Sequence, residues 1–423
     1  MRPSICAVQY AAAVVTDEQL AQLRTQVEAG LPEYMSDLER LVNIECGSYN
    51  KEGVDEVGRW FADQLEELGA RITVEAHPEL GDTVVAEFEG SREGHGVLVG
   101  HLDTVFPDGT VAERPFTVRE GRAFGAGVDD MKGGLLGGLY ALRAIRALVG
   151  DVAAEDWLPF RRLTFVVNPD EEIGSPSSTE IIRRAAHGAD VAFVLESARE
   201  NGDIVSARKG IADYVLRING RAAHAGIEPH KGRNAVLEAA HKTLALTALN
   251  GRWPEATVNV GVVRGGTRPN VVAESAEIEI DVRATRSAEM AEIEAAIREI
   301  AESSAVPDTT ATVTRRANWA PMEKTAGTAL LADQAIDVAR RIGFDLKDAA
   351  TGGASDANTL SGMGIPTLDG LGPVGGADHA PGEYLEVDSI VPRTTLLAAL
   401  LLNAVESVAR APSAAAAVAS PDS

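Results

Sequence analysis

The sequence predicts an α/β domain on a largely parallel sheet, interrupted by a smaller α+β insertion. Three observations predict it. Over the first two hundred residues, short β-rich runs alternate with helical patterns, the grammar of a parallel sheet covered on both faces. From about Lys209 the order becomes β-α-β-β-α-β, that of a ferredoxin-like unit. After Pro321 the earlier alternation resumes.

Taken in order, 56–68 (EVGRWFADQLEEL) has helical apolar spacing and stops at Gly69. The runs 84–89 and 97–100 read as strands. The segment 130–149 reads as a helix, rich in small residues at its start and closed by Gly150. The short apolar runs 163–167 and 191–195 are typical of buried parallel strands. Inside the insertion, 214–219, 258–263 and 276–282 alternate with period two, 234–249 and 287–303 are helical, and 311–314 is a strand. The expected domains are 1–208 with 321–410, and 209–320. The low-complexity tail 411–423 (APSAAAAVASPDS) is expected to be disordered.

The chain has 423 residues, 24% of them charged, and a net charge of −24. So acidic a chain is a poor nucleic-acid ligand, because phosphate contacts need clustered Lys and Arg. Two cysteines, Cys6 and Cys46, make neither a disulfide framework nor a Cys-rich metal site. No apolar run approaches the roughly 18 residues of a membrane span, so no membrane partner is expected. The run 5–15 has the outline of a secretory signal, but Gln9 and Tyr10 interrupt it and a single Arg2 precedes it. A first helix or frayed end is the reading adopted, with a cytoplasmic protein expected and a secreted or periplasmic one as the alternative.

Open α/β sheets bind ligands at the carboxyl ends of their strands, and the polar residues collect there. VLVG leads into His101-Leu102-Asp103, LTFVVNP into Asp170-Glu171-Glu172, and VAFVL into Glu196. Asp378-His379 follows a Gly-rich loop, and Asp129-Asp130 opens the glycine-rich helix. Carboxylates crowded together repel one another unless a cation neutralises them. With two His and no Cys among them, the expected occupant is Zn²⁺, with Mn²⁺ or Co²⁺ as substitutes.

These residues resemble the co-catalytic zinc metallopeptidases of the M20 type, which include glutamate carboxypeptidases, acetylornithine deacetylases and succinyl-diaminopimelate desuccinylases. GHLDTV at 100–105, GAGVDDMKGG at 125–134, DEEIGS at 170–175, Glu196, AHAG at 223–226 and DHAPGEY at 378–384 follow the family's order over roughly 40–400. The resemblance implies a zinc-peptidase catalytic domain with a mixed, mostly parallel sheet and an inserted ferredoxin-like lid that also dimerises. It implies two zinc ions per chain. His101 and Glu196 would bind one, Glu172 and His379 the other, and Asp130 would bridge them, followed by a cis peptide. Glu171 would be the general base, Asp103 would hold the far nitrogen of His101, and His224 would stabilise the oxyanion. Asp129 stands where the family more often has a small residue. It either faces away or alters metal preference.

The implied substrate is a small peptide or N-acyl amino acid. Arg283 and Asn270 look like the family's α-carboxylate contacts. The turn containing Gly353 could add backbone N–H groups, and Arg208 and Lys209 could meet a second carboxylate, which favours a C-terminal glutamate. The alternative is an N-acyl-amino-acid deacylase of the acetylornithine type. A non-catalytic scaffold is disfavoured by the intact set of metal positions together with Glu171. GAGVDDMKGG is no phosphate loop, since Gly133 rather than Ser or Thr follows Lys132. GASDA at 353–357 lacks the last glycine of a nucleophile elbow.

Overall fold

The computed structural model describes residues 15–150 and 157–410. The signal-like run, up to residue 14, and the tail 411–423 lie outside the described residues. The strands used below are, in chain order, β1 (Arg71–Glu75), β2 (Thr83–Glu89), β3 (His95–His101), β4 (Arg162–Asn168), β5 (Val191–Val194), β6 (Gly210–Asn219), β7 (Thr257–Gly265), β8 (Ser275–Ala284), β9 (Thr310–Trp319) and β10 (Thr367–Leu368). The helices are α1 (Asp17–Val42), α2 (Lys51–Glu67), α3 (Gly134–Val149), α4 (Ala235–Thr247), α5 (Ser287–Glu302), α6 (Ala326–Ile342) and α7 (Val387–Arg410).

The chain forms two compact units. The first comprises 1–206, 324–349 and 363–423, and the second 207–323 with 350–362. In the first, six strands lie in the order β1-β2-β4-β3-β5-β10. The pairs β4–β3, β3–β5 and β5–β10 are parallel, while β1–β2 and β2–β4 are antiparallel. Every residue of β3 is buried, as expected of a strand packed on both faces. Helix α3 is buried over most of its length. Its first residue must be glycine, because a Cβ on Gly134 would lie 1.8 Å from the Leu195 carbonyl oxygen. Helix α7 has the length and apolarity of a membrane span over Val387–Ala404, yet 72% of that stretch is buried inside the protein.

Helix α1 is absent from the sequence reading. Gly30 and Pro32 in its middle argue against a helix. Tertiary burial overrides them, since Leu20, Leu23, Val27, Tyr34, Leu38 and Leu41 face the core at helical spacing. A capping box between Thr16 and Gln19 starts the helix.

Inside α7, the guanidinium of Arg393 is fully buried and, among the described residues, its hydrogen bonds go to carbonyls. Nε donates to the Gly372 carbonyl and Nη1 to the Gly202 carbonyl, each at 3.0 Å, and Nη2 donates to the Gly370 carbonyl. Burial pushes its pKa down to about 10. The loop it grips is the one whose Gly372 N–H donates to the Glu196 carbonyl.

The second unit has the strand order β7-β8-β6-β9, antiparallel throughout. With α4 between β6 and β7 and α5 between β8 and β9, this is the ferredoxin-like arrangement. Ile278, Ile280 and Val282 of β8 pack with Ile293 and Ile297 of α5 in its core. The segment 350–362, outside the expected 209–320, clusters with this unit. Arg283 and Arg208 hold the carbonyls of Gly352 and Gly353, and the Asn358 amide donates to the carbonyls of Lys209 and Ala320.

Candidate metal centre

Three parallel strands deliver their acidic and imidazole groups to one edge of the sheet. His101 is the last residue of β3, Glu171 and Glu172 form a single turn just beyond β4, and Glu196 lies two residues past β5. The predicted ligands fall into two groups, His101 with Asp130 and Glu196, and Asp130 with Glu172 and His379. Within each group the donor atoms lie within 4.8 Å of one another.

Asp130 belongs to both groups. Its Oδ1 is 3.1 Å from His101 Nε2 and its Oδ2 is 3.0 Å from His379 Nε2. Glu172 Oε2 lies 3.1 Å from the same His379 nitrogen, and Glu196 Oε1 lies 3.8 Å from His101 Nε2. The expected helix over 130–149 begins only at Gly134. Before it, Asp130 and Met131 have non-helical dihedrals, and the peptide between them is cis.

Charge governs this cluster. Burial pushes Glu196 up to about 8 against the pull of His101. Burial likewise raises Glu172. Hydrogen bonds to Asp130 and Glu172 push His379 up to about 10. His101 is raised well above the usual imidazole range, because Glu196, Asp103 and Asp130 outweigh its burial. Burial opposes charge on Asp130 too, but the two imidazoles hold it well below the usual carboxylate range. The imidazoles and carboxylates attract one another, and a divalent cation between them would neutralise the carboxylates with more charge. Imidazole and carboxylate donors without thiolate fit zinc, and also manganese or cobalt.

Asp103 meets the far nitrogen of His101 with two groups. His101 Nδ1 is 3.0 Å from its main-chain carbonyl, while its carboxylate stands at 3.4 Å. That carboxylate has further partners. It accepts from Ser48 Oγ at 2.6 Å and from the N–H groups of Glu171 at 3.1 Å and Glu172 at 3.2 Å. The carbonyl and the carboxylate of Asp103 both face His101 Nδ1, and the same carboxylate holds the turn bearing Glu171 and Glu172.

Asp129 is buried, and neither carboxylate oxygen has a hydrogen bond of good geometry. Burial and then the carboxylate of Asp378 push its pKa well up. Glu383 escapes sequence reasoning although it lies in the DHAPGEY stretch. It is 2% exposed, and its carboxylate accepts the N–H groups of Gly127, Asp129 and Asp130 at 2.9–3.1 Å. Burial pushes it up to about 7 against those three donors. A glycine-rich loop whose N–H groups need acceptors was the available signal.

The remaining predicted residues lie in the second unit and form two clusters. His224 pairs with Val271 beside Asn270, whose carbonyl accepts the Ala225 N–H. The exposed His224 ring accepts the Gly226 N–H at Nδ1. Arg283 Nη1 and Arg208 Nη1 reach the Gly352 and Gly353 carbonyls at 3.0 and 3.1 Å. Lys209 is apart from them, with Nζ donating to the Glu255 carbonyl at 2.7 Å.

A family model described as "Peptidase family M20/M25/M40" matches residues 97–403. Carboxypeptidase G2 of Pseudomonas sp. (strain RS-16) is 30% identical over 416 residues, spanning 95% of this chain and 98% of that protein. Acetylornithine deacetylase of Proteus mirabilis (strain HI4320) is 29% identical over 239 residues, spanning 53% of this chain and 58% of its own. Among solved structures, aminopeptidase PepT from Bacillus cereus ATCC 10987 superposes with a TM-score of 0.71 at 21% identity, over 93% of this chain and 100% of that one. An M20 family metallo-carboxypeptidase from Sulfolobus solfataricus superposes with a TM-score of 0.65 at 16% identity, over 88% and 99%. The two structural likenesses speak to the fold.

Proposed function

This chain belongs to peptidase family M20/M25/M40 and is a metallo-amidohydrolase; from that premise we propose that it is a dinuclear zinc carboxypeptidase releasing a C-terminal amino acid, glutamate foremost, from a peptide or N-acyl conjugate. The observation that carries the reading is Asp130, placed between two imidazole–carboxylate groups so that each oxygen faces a different one. His101 and Glu196 would hold one ion, Glu172 and His379 the other. When bound, the metal pair supplies Lewis acidity toward the scissile carbonyl and acidifies the attacking water.

The chain's own residues do the rest. Glu171 takes the proton of the water as the carbon–oxygen bond forms, and returns it to the amide nitrogen as the carbon–nitrogen bond breaks. Asp103 fixes the Glu171 backbone N–H at 3.1 Å, which limits how far the base can wander. His224 is assigned to the developing oxyanion, where one donor is worth roughly 2.7–4 kcal/mol of barrier. Glutamate is favoured because two guanidiniums, Arg283 and Arg208, meet at adjacent carbonyls, and paired guanidiniums suit a leaving group with two carboxylates. Asn270 joins Arg283 at the α-carboxylate. Lys209 is the weaker assignment, since its ammonium already serves Glu255.

The test is hydrolysis by zinc-loaded protein of N-acyl-glutamate, a glutamyl-folate-type conjugate, N-acetylornithine, succinyl-diaminopimelate and simple dipeptides. Release of C-terminal glutamate is expected. Preferential turnover of N-acetylornithine would move the chain to the deacylase reading, which the Proteus mirabilis relative supports over part of the chain.

We also propose a homodimer formed through the inserted unit. Leu237 and Leu244 on α4 and Val263 on β7 are 49%, 71% and 50% exposed, and β7 is an edge strand. An apolar helix face beside an open edge is a self-complementary surface. Sedimentation velocity is expected to give a dimer that Leu244→Glu converts to monomer. A monomeric wild-type protein would dispose of the idea.

A further inference from the structure

We infer that Glu383 is a positioning residue for the metal centre: it sets the backbone that carries Asp130 and ties it to the turn that carries His379. The inference rests on the metal-centre reading above.

Asp130 must present one oxygen to each imidazole at about the same distance, so its Cα has little latitude. Its backbone is not held by a helix. Gly127 has φ 70° and Asp130 has φ −108° and ψ 93°, and α3 starts only at Gly134. The N–H groups of Gly127, Asp129 and Asp130 therefore have no helical acceptor. All three converge on the Glu383 carboxylate, Oε2 taking Gly127 at 3.0 Å and Oε1 taking Asp129 at 2.9 Å and Asp130 at 3.1 Å. Converging backbone N–H groups form an anion-binding concavity, and here the anion is a side chain of the protein.

The same carboxylate reports to the other side of the site. Glu383 closes a short turn in which Ala380 N–H donates to the Ala377 carbonyl and Glu383 N–H donates to the Ala380 carbonyl. His379 lies inside it with φ 61°, the left-handed region that a residue with a Cβ adopts only when its surroundings impose it. Beyond Glu383, Tyr384–Glu386 pairs with Arg122–Phe124, the strand that leads into the Asp130 loop. One side chain thus joins the bridging carboxylate and an imidazole that come from opposite ends of the sequence.

Glutamine at this position keeps the size but turns an NH₂ group toward a backbone N–H, so at least one of the three donors loses its acceptor. The experiment is zinc affinity of the metal-free protein, measured by competition with a chromophoric chelator, for wild type, Glu383→Gln and Glu386→Gln. Glu386 is on the same strand, but it faces outward to Arg122. Circular dichroism first establishes that each variant is folded at the assay temperature. The expected result is zinc binding weakened about 10–100-fold in Glu383→Gln, the size seen when partners of metal ligands are removed, with Glu386→Gln at wild-type affinity. Cobalt-loaded Glu383→Gln is expected to show altered visible absorption bands, which a general loss of stability does not produce. Wild-type zinc affinity in folded Glu383→Gln, or equal weakening in Glu386→Gln, overturns the inference. If Glu383→Gln does not fold, Glu383→Asp, which withdraws the carboxylate by one methylene, gives the same readout. Failure of both to fold overturns positioning in favour of a purely structural role. A wild-type protein that binds no zinc would instead strike at the metal-centre reading itself.

Discussion

Replacing Glu171 with glutamine is expected to lower kcat by roughly 10²–10⁴-fold, the usual contribution of a positioned general base. Bound metal and KM are expected to stay near wild-type values. The two effects separate because Glu171 and Glu172 are neighbours with different assignments. Glu172 faces His379 and belongs to a ligand group, whereas Glu171 belongs to neither. The turn they share is fixed by others. Asp103 accepts both of their N–H groups, and Asp170 is locked by the hydroxyls of Ser177 and Ser178. An isosteric amide at 171 leaves all of these bonds in place and removes the ability to take a proton. Steady-state kinetics with metal analysis of the same sample checks it. A variant that keeps more than about a tenth of wild-type kcat would mean another group takes the proton.

The largest expected loss of stability comes from Arg393→Met, about 4 kcal/mol. The substitution roughly preserves side-chain volume but strips two buried carbonyls, those of Gly370 and Gly372, and the part-buried carbonyl of Gly202 of this donor. Each stranded group costs about 1–3 kcal/mol, partly offset by no longer burying a charge. Arg393→Lys is expected to rescue little, since one ammonium cannot reproduce a planar fork. Urea unfolding of all three proteins measures it. A loss below about 1 kcal/mol in Arg393→Met would show that water or backbone movement satisfies the carbonyls. Because Gly372 in turn donates to the Glu196 carbonyl, the same variant is expected to bind zinc more weakly.

What was legible in the sequence follows the chemistry. The ligand candidates stand out because few residue types suit a metal and because they sit directly after buried strands. The alternation of β-rich and helical runs gave the sheet, and the period-two pattern gave the inserted unit. The hidden parts are those where one residue serves a distant backbone. Glu383 binds N–H groups more than 250 positions away in sequence. Arg393 looks like a polar interruption of an apolar helix until its carbonyl partners are known. The Asp103 carboxylate also serves a turn near 171, and spacing within a motif cannot reveal that. Helix α1 was obscured by Gly30 and Pro32, where local propensity points the wrong way and tertiary packing prevails. The membership of 350–362 depends on Arg208, Arg283 and Asn358, all remote from it in the chain except the last.

The pairing of β5 with β10 carries a consequence for how the protein comes into being. β5 ends at Val194, and its parallel partner begins only at Thr367. Between them the ribosome must make the four-stranded sheet of the inserted unit with helices α4 and α5, which lie within 210–319. That unit has its whole sheet available while the larger sheet is still missing an edge. His379 emerges later still, so the cluster of His101, Asp130, Glu172 and Glu196 waits for the whole stretch from 197 to 379 to be made before it has its second imidazole. The full ligand set therefore cannot assemble until His379 has been made.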